Sequence, residues 1–343
     1  MKLKGYIYAF FAAASYGTNP IFAKPLFNDG MNPDSVLLFR YLLALVILGL
    51  YMVWSGYSRW RKDCRLLVSV GGDGQSQVRA GGAIAGGASA GGASAGPQGT
   101  GSLRAHMAQT FEVNRHTLPQ LIVLGILMAV SSLTLFVSYN YMPVGIASTL
   151  LFVYPIMTAL IMMLCFGERL SWLVVACLLL ACSGIALLCP FEGGALEMSD
   201  DFMIGFIIVM FSGLSYAIYL VGLNKTRVRT IASIPVTFYV LLFGTLLYVV
   251  RIAAFSTFTL PTHWYMWFNL LALGIIPTVI SLVLTALAIQ NIGSTQTALL
   301  GAMEPVTAVV LGVLVLGESV TEREVYGMLL IFLAVTLVVC RRK

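Results

Sequence analysis

Charge is what this sequence has least of. Only 10% of its 343 residues are Asp, Glu, Lys or Arg, against about 25% in a soluble globular chain, too few to cover a water-facing surface. Histidine is nearly absent, and the three present fall in connecting segments. No two acidic side chains share the apolar stretches, so the paired groups that acid–base or metal-assisted catalysis needs are missing. The six cysteines, Cys64, Cys165, Cys177, Cys182, Cys189 and Cys340, have no metal-like spacing and form no disulfide framework; they read as apolar filler. His106 and His116 read as a solvated loop. No glycine-rich loop is followed by the lysine and helix start that cradle phosphates, so direct ATP coupling is not expected. Neither a cofactor nor a metal is expected.

What the chain has in excess is apolar length. It is 59% hydrophobic, and stretches of about 20 residues, enough to cross roughly 30 Å of hydrocarbon, recur ten times. They lie near Gly5–Ala23, Asp34–Trp54, Leu118–Ser138, Gly145–Cys165, Trp172–Cys189, Phe202–Val221, Ile231–Arg251, Tyr265–Ala288, Ser294–Leu316 and Val325–Cys340. The fold class that follows is an all-α membrane protein of about ten transmembrane helices. Met1–Lys4 followed by Ala12, Ala13 and Ala14 has some features of a cleaved signal, but the internal repeat below uses this segment as structure. With the N-terminus in the cytoplasm, 16 of the 20 basic residues gather on the inner side, among them Lys2, Lys4, Arg59, Arg61, Lys62, Arg65, Lys225, Arg227 and Arg229. By the positive-inside rule both termini are then cytoplasmic. The formal charge of +6 therefore records orientation and not a nucleic-acid partner. Trp54, Trp60, Trp172, Trp264 and Trp267 fall at span ends, as interface anchors do. From about Gly71 to Ser102 the pattern gives way to Gly/Ala/Ser repeats of period five, which read as a flexible cytoplasmic insertion at about 71–110.

The chain also repeats itself. Pro155 precedes Gly167-Glu168 by 12 residues, and Pro305 precedes Gly317-Glu318 by the same 12. Gly5 stands ten residues before Ser15-Tyr16, and Gly205 ten before Ser215-Tyr216. Leu124-Gly125-Ile126 and Leu273-Gly274-Ile275 stand in matching places ahead of those prolines. Two copies of five spans, at 5–189 and 202–340, are implied. Five is odd, so the second copy enters the membrane with the opposite orientation. Such an inverted repeat suits alternating access to a site between the halves.

These motifs, with Asn19-Pro20, Phe39-Arg40 and Glu304-Pro305, resemble the drug/metabolite transporter superfamily, and within it the proteins with two EamA domains. The resemblance covers about Gly5 to Arg65 and Leu118 to Arg342; the glycine-rich insertion departs from it. It implies transport, mainly export, of small metabolites, amino acids or drugs from the cytoplasm, with a small-molecule substrate and the bilayer as partners. A receptor or scaffold without transport is the alternative, and a membrane-embedded enzyme a more distant one.

The candidate path residues are few. Glu304 is the only acidic side chain inside a span, where a charge costs about 2.5–3.5 kcal/mol. It reads either as a proton- or substrate-binding group facing a cavity, or as a hydrogen-bonded lock on the Pro305 bend. Its repeat partner is the uncharged Tyr154. Arg40 either snorkels to the headgroups or faces the cavity to attract an anionic group. Asn19, Tyr139 and Asn140 supply uncharged donors for a polar substrate or for helix pairing. Pro20, Pro143, Pro155, Pro277 and Pro305 are expected to bend or end helices. Ala9, Ala13 and Gly17, spaced by four, read as a close-packing face.

Overall fold

The computed structural model describes residues 2–77, 115–142, 144–169, 171–188, 200–255, 257–316 and 321–340. Among them every regular element is helical. In chain order these are α1 (Lys2–Tyr16), α2 (Asn19–Asn28), α3 (Pro33–Gln77), α4 (Leu118–Ser138), α5 (Val144–Leu151), α6 (Tyr154–Phe166), α7 (Trp172–Leu188) and α8 (Asp200–Lys225). A 3-10 turn (Arg227–Thr230) leads to α9 (Ser233–Phe255), α10 (Trp264–Gly274), a π-helical segment (Ile275–Ile280), α11 (Ser281–Ile292), α12 (Ser294–Leu300), α13 (Met303–Leu316) and α14 (Glu322–Cys340). Met1–Leu48 and Asn114–Lys343 form one compact unit, while Gly49–Val113 cluster separately.

Five helical stretches are long and apolar enough to cross a bilayer: Pro33–Lys62, Leu118–Ser138, Asp200–Lys225, Ser233–Phe255 and Trp264–Ile292. The remaining apolar helices are shorter, and the sequence shows why. Spans one, four and nine, whose prolines were expected to bend or end helices, are each broken in two. Pro20 and Pro155 sit in the first turns of α2 and α6, and Pro305 in that of α13. Proline lacks the N–H that a helix interior needs but fits a first turn, so each marks a fresh helix start. Counted this way, the described helices group into ten membrane-crossing segments, making this an all-α multi-pass membrane protein.

Span eight meets its proline differently. Pro277 lies inside a π-helical segment, Ile275–Ile280, that joins α10 to α11. The carbonyl of Leu273 is taken up by the Thr278 hydroxyl at 2.7 Å, so the local widening leaves no stranded acceptor there. Span two runs well past its expected end near Trp54. α3 is 45 residues long, about 67 Å at 1.5 Å per residue, and reaches Gln77, inside the segment expected to begin a flexible linker at Gly71. Its ring pairs Tyr51–Trp54 and Tyr57–Trp60 have centroids 6.0 and 5.7 Å apart. The rest of that insertion, Pro143, Cys189 and the Gly317-Glu318 motif lie outside the described residues.

The duplicated motifs reappear as duplicated contacts. Gly5 packs against Asn291 and Ile292 at the end of α11, and Gly205 packs against Tyr141 and Met142 after α4. Gly125 on α4 lies against the Val240 carbonyl and Phe243 of α9, while Gly274 lies against the Arg40 carbonyl and Leu43 of α3. At the crossing of the broken spans, Gly17 rests on the Glu304 carbonyl and Gly213 faces the Leu151 carbonyl. Between spans five and ten, Gly184 of α7 touches the Gly327 carbonyl of α14. Glycine at these points lets two backbones approach, which is how helices associate in lipid where no hydrophobic force drives them together. Gly167, of the Pro155 to Gly167-Glu168 signature, closes α6 at φ +63°, and the Glu168 N–H reaches the Met162 carbonyl at 3.1 Å. A left-handed residue is needed there, and glycine adopts it without strain.

A side chain at Gly125 would place its Cβ 2.7 Å from the Phe243 Cβ and 2.9 Å from the Val240 carbonyl oxygen. Gly125→Val is therefore expected to cost about 1–3 kcal/mol by overpacking and to lower the thermal midpoint of the purified protein. Leu314→Val, on a side chain 75% exposed, is expected to leave that midpoint in place.

Candidate functional site

The polar groups that the sequence scatters along the chain collect where span one crosses spans eight and nine. Tyr16, Gly17 and Asn19 straddle the break between α1 and α2. The Tyr16 ring lies beneath the Arg40 guanidinium, Cζ to centroid 5.5 Å. One residue on, Gly17 sits so close to Glu304 that a Cβ would fall 2.5 Å from its carbonyl oxygen. One turn of chain thus touches both charged residues that the sequence singled out.

Arg40 is 1% exposed, so it does not snorkel to the headgroups. Its Nε donates to Thr278 Oγ1 at 2.5 Å, Nη1 to Asn19 Oδ1 at 3.3 Å and Nη2 to the Pro277 carbonyl at 3.4 Å. The geometry explains the burial: a planar fork of donors meets the Pro277 carbonyl of the π-helical segment and two side-chain oxygens at once. Asn19 is brought into this cluster as an acceptor and is itself buried.

Glu304, in the first turn of α13, is 7% exposed, and no ion pair or hydrogen bond joins its carboxyl to a described residue. The residue borders a narrow cavity whose wall includes Ala13, Tyr154, Tyr216, Thr285 and Thr297. The cavity leaves room for about one water molecule. Tyr154 stacks edge-on against Tyr216 with centroids 4.8 Å apart, and its hydroxyl fills the space over Gly301, the residue at which span nine breaks. The repeat partners Tyr154 and Glu304 therefore line one cavity from two broken spans.

Not every candidate joins them. Tyr139 bonds Ser148 at 3.3 Å and stacks on Phe136 with centroids 5.4 Å apart, while Asn140 is exposed at the end of α4; neither lines the cavity. Ala9 and Ala13, expected as a packing stripe, are buried and also border the cavity, while Gly17 of that stripe lies against the Glu304 carbonyl. Thr278, Thr285, Thr297, Tyr16 and Tyr216 did not stand out as site residues in the sequence. Tyr16 and Tyr216 did stand out as repeat partners, and that correspondence was the available signal. A second buried set, without charge, ties spans three, two, six and seven together. Tyr41 bonds Ser132 at 3.0 Å, Ser212 donates to the Ser131 carbonyl at 2.7 Å, and Tyr248 to that of Ala129 at 2.8 Å.

The cavity lies between two fastened ends. At one, Arg251 Nε meets Asp34 Oδ1 at 2.7 Å, Thr259 N–H donates to Ser35 Oγ at 2.9 Å and the Tyr265 hydroxyl to Asp29 at 2.9 Å. At the other, the Tyr6 hydroxyl donates to Gln296 at 2.9 Å and Gln290 to the Ile231 carbonyl at 2.7 Å.

Broken spans that cross in the bundle, a buried carboxyl-bearing residue and a cavity between them fit a membrane transport protein. The chain belongs to the EamA-like transporter family, which it matches over residues 103–189 and 203–340. It is 29% identical over 231 residues to the Uncharacterized transporter sll1319 of Synechocystis sp., a match that takes in 66% of this chain and 68% of that protein. One protein of known crystal structure superposes on it with a TM-score of 0.70 over 98% of this chain and 96% of its own. At 16% identity it shares the fold alone.

Replacing Arg40 by Lys keeps the charge but cannot span Thr278, Asn19 and the Pro277 carbonyl together. Each buried acceptor left unpaired costs about 1–3 kcal/mol. Arg40→Lys is expected to lower the thermal midpoint of the purified protein, and a midpoint equal to wild type would show that the fork is not needed.

Proposed function

We propose that this transporter is a secondary-active or facilitative carrier that exports small metabolites, amino acids or drugs across the cytoplasmic membrane by alternating access. In this reading the chain consists of two inverted five-span repeats, 5–189 and 202–340, the first interrupted by the insertion at about 71–110, with both termini cytoplasmic. Its partners are a small-molecule substrate and the lipid bilayer, with no part for nucleic acid. The observation that carries this reading is a pair of matching contacts, Gly125 against the Val240 carbonyl and Gly274 against the Arg40 carbonyl, together with the cavity that the repeat partners Glu304 and Tyr154 share. Halves that make the same contacts can exchange conformations, so that unfastening one end while the other stays closed exposes the cavity to one side at a time.

Glu304 is the group that can couple this motion to a proton or to a substrate. Its surroundings change from enclosed to watered as the cavity opens, and a carboxyl held in such alternating surroundings exchanges a proton with each side in turn. Arg40 has three nitrogens engaged within the protein and braces span eight; its remaining donors face an anionic substrate group if the bracing loosens. Tyr154 adds a phenol to the cavity lining, Asn19 steadies Arg40, and Pro20, Pro155, Pro277 and Pro305 mark the places where spans flex.

In proteoliposomes, substrate flux is expected to saturate with concentration, as a carrier's does; flux that rises without limit would mark a channel. Glu304→Gln is expected to flatten the dependence of flux on pH. The same pH profile in Glu304→Gln and wild type would rule out a coupling role for this carboxyl and leave the carrier itself standing.

A further inference from the structure

Lys225, Arg227 and Arg229 bring three positive charges into one short stretch where α8, long and apolar enough to cross the bilayer, comes to its end. All three are exposed, yet the backbone that carries them is held in place. Val228, 1% exposed, pins the 3-10 turn Arg227–Thr230 to the bundle. The Thr230 hydroxyl donates to the Arg227 carbonyl at 2.8 Å, and the Ile231 N–H to that of Val228 at 3.0 Å. Arg229 Nη2 donates to the Gln290 carbonyl at 3.3 Å, and Lys225 Nζ stands 5.1 Å from the centroid of the Phe166 ring at the end of α6.

No carboxylate answers these charges. Among the described residues none of the three forms an ion pair, and Glu168, two residues beyond Phe166, pairs with none of them. Like charges fixed this close on an ordered turn repel, and an anion that reaches across them relieves the repulsion. Two features identify the anion. The turn follows directly on a membrane-crossing helix, which puts it at the depth of the lipid phosphates, and arginine forks with a lysine point charge suit phosphate oxygens. Beside it, Phe166 is 48% and Leu164 75% exposed, an apolar surface on the last turns of α6 that acyl chains can cover and a water-soluble anion cannot use.

We propose that Lys225, Arg227 and Arg229 bind the phosphate of an anionic phospholipid whose acyl chains run along Phe166 and Leu164. The headgroup then sits beside the fastening that Gln290 makes with the Ile231 carbonyl. This goes beyond the transport reading and does not depend on it, since binding is measured with no substrate present.

The test is equilibrium binding of radioactive phosphatidylglycerol to the purified full-length protein in detergent micelles, with phosphatidylcholine as the zwitterionic comparison. Wild type is expected to bind phosphatidylglycerol saturably and at least about tenfold more tightly than phosphatidylcholine. Lys225→Gln with Arg227→Gln removes two charges that make no hydrogen bond within the protein; the pair is expected to weaken phosphatidylglycerol binding by about tenfold or more and to leave the thermal midpoint in detergent alone unchanged. Lys24→Gln, on an exposed lysine of α2, is expected to bind like wild type. Equal binding of the two lipids would overturn the proposal, as would a double variant that binds phosphatidylglycerol like wild type, or an equal loss in Lys24→Gln, which would mark attraction to net charge alone. Displacement of the lipid by inorganic phosphate, but not by chloride at matched ionic strength, would also overturn it and make free phosphate the ligand.

Discussion

In hydrocarbon a backbone N–H or carbonyl without a partner costs several kcal/mol, and this protein breaks three of its spans there. What makes the breaks tolerable is that they are pressed against one another and not against lipid. Gly17 on the Glu304 carbonyl, Gly213 facing the Leu151 carbonyl and Gly301 under the Tyr154 hydroxyl place each interruption inside the bundle. The cavity exists because those breaks cross, and Glu304 is at its edge because it stands in the first turn of a helix that restarts after one of them. The same constraint accounts for Arg40. A π-helical segment around Pro277 disturbs the ladder, and the guanidinium meets the Pro277 carbonyl there together with the side-chain oxygens of Thr278 and Asn19.

Much of this was legible in the residues. Apolar length and scarce charge defined the class, and Pro155, Pro305, Gly125 and Gly274 defined the repeat, because glycine at a close backbone contact and proline at a helix start answer to local geometry. The breaks in spans one, four and nine were half legible. Pro20, Pro155 and Pro305 were expected to bend or end helices, but twenty apolar residues read alike whether they form one helix or two, so the restart at each proline was not. The inner path was also only half legible. Glu304 and Arg40 stood out by charge, but Thr278, Thr285 and Thr297 are ordinary hydroxyls until the π-helical turn and the crossing bring them inward. Ala9 and Ala13 were placed on a packed face, and that face also borders the cavity.

The sequence repeats differ in chemistry where they correspond in position. The repeat partners Tyr154 and Glu304 line one cavity, one a phenol and the other a carboxylic acid. Tyr154 overlies a glycine at 301, whereas Leu151 stands in that place in the other repeat. On the alternating-access reading, an exchange of conformations between the halves would therefore not return an equivalent arrangement, and the two end states would differ in energy.

The pairing of Gly5 with Asn291 and Ile292 has a consequence for how the chain is made. α1 finds its main neighbour, α11, only after the long stretch of chain between them has been synthesised, while α8 meets α4 much sooner. Until then α1 must wait in the lipid with its alanine and glycine face bare. Its own apolar length has to hold it there, since a closely packed partner is not yet available. The α4 and α8 pair can thus form before α1 is locked in.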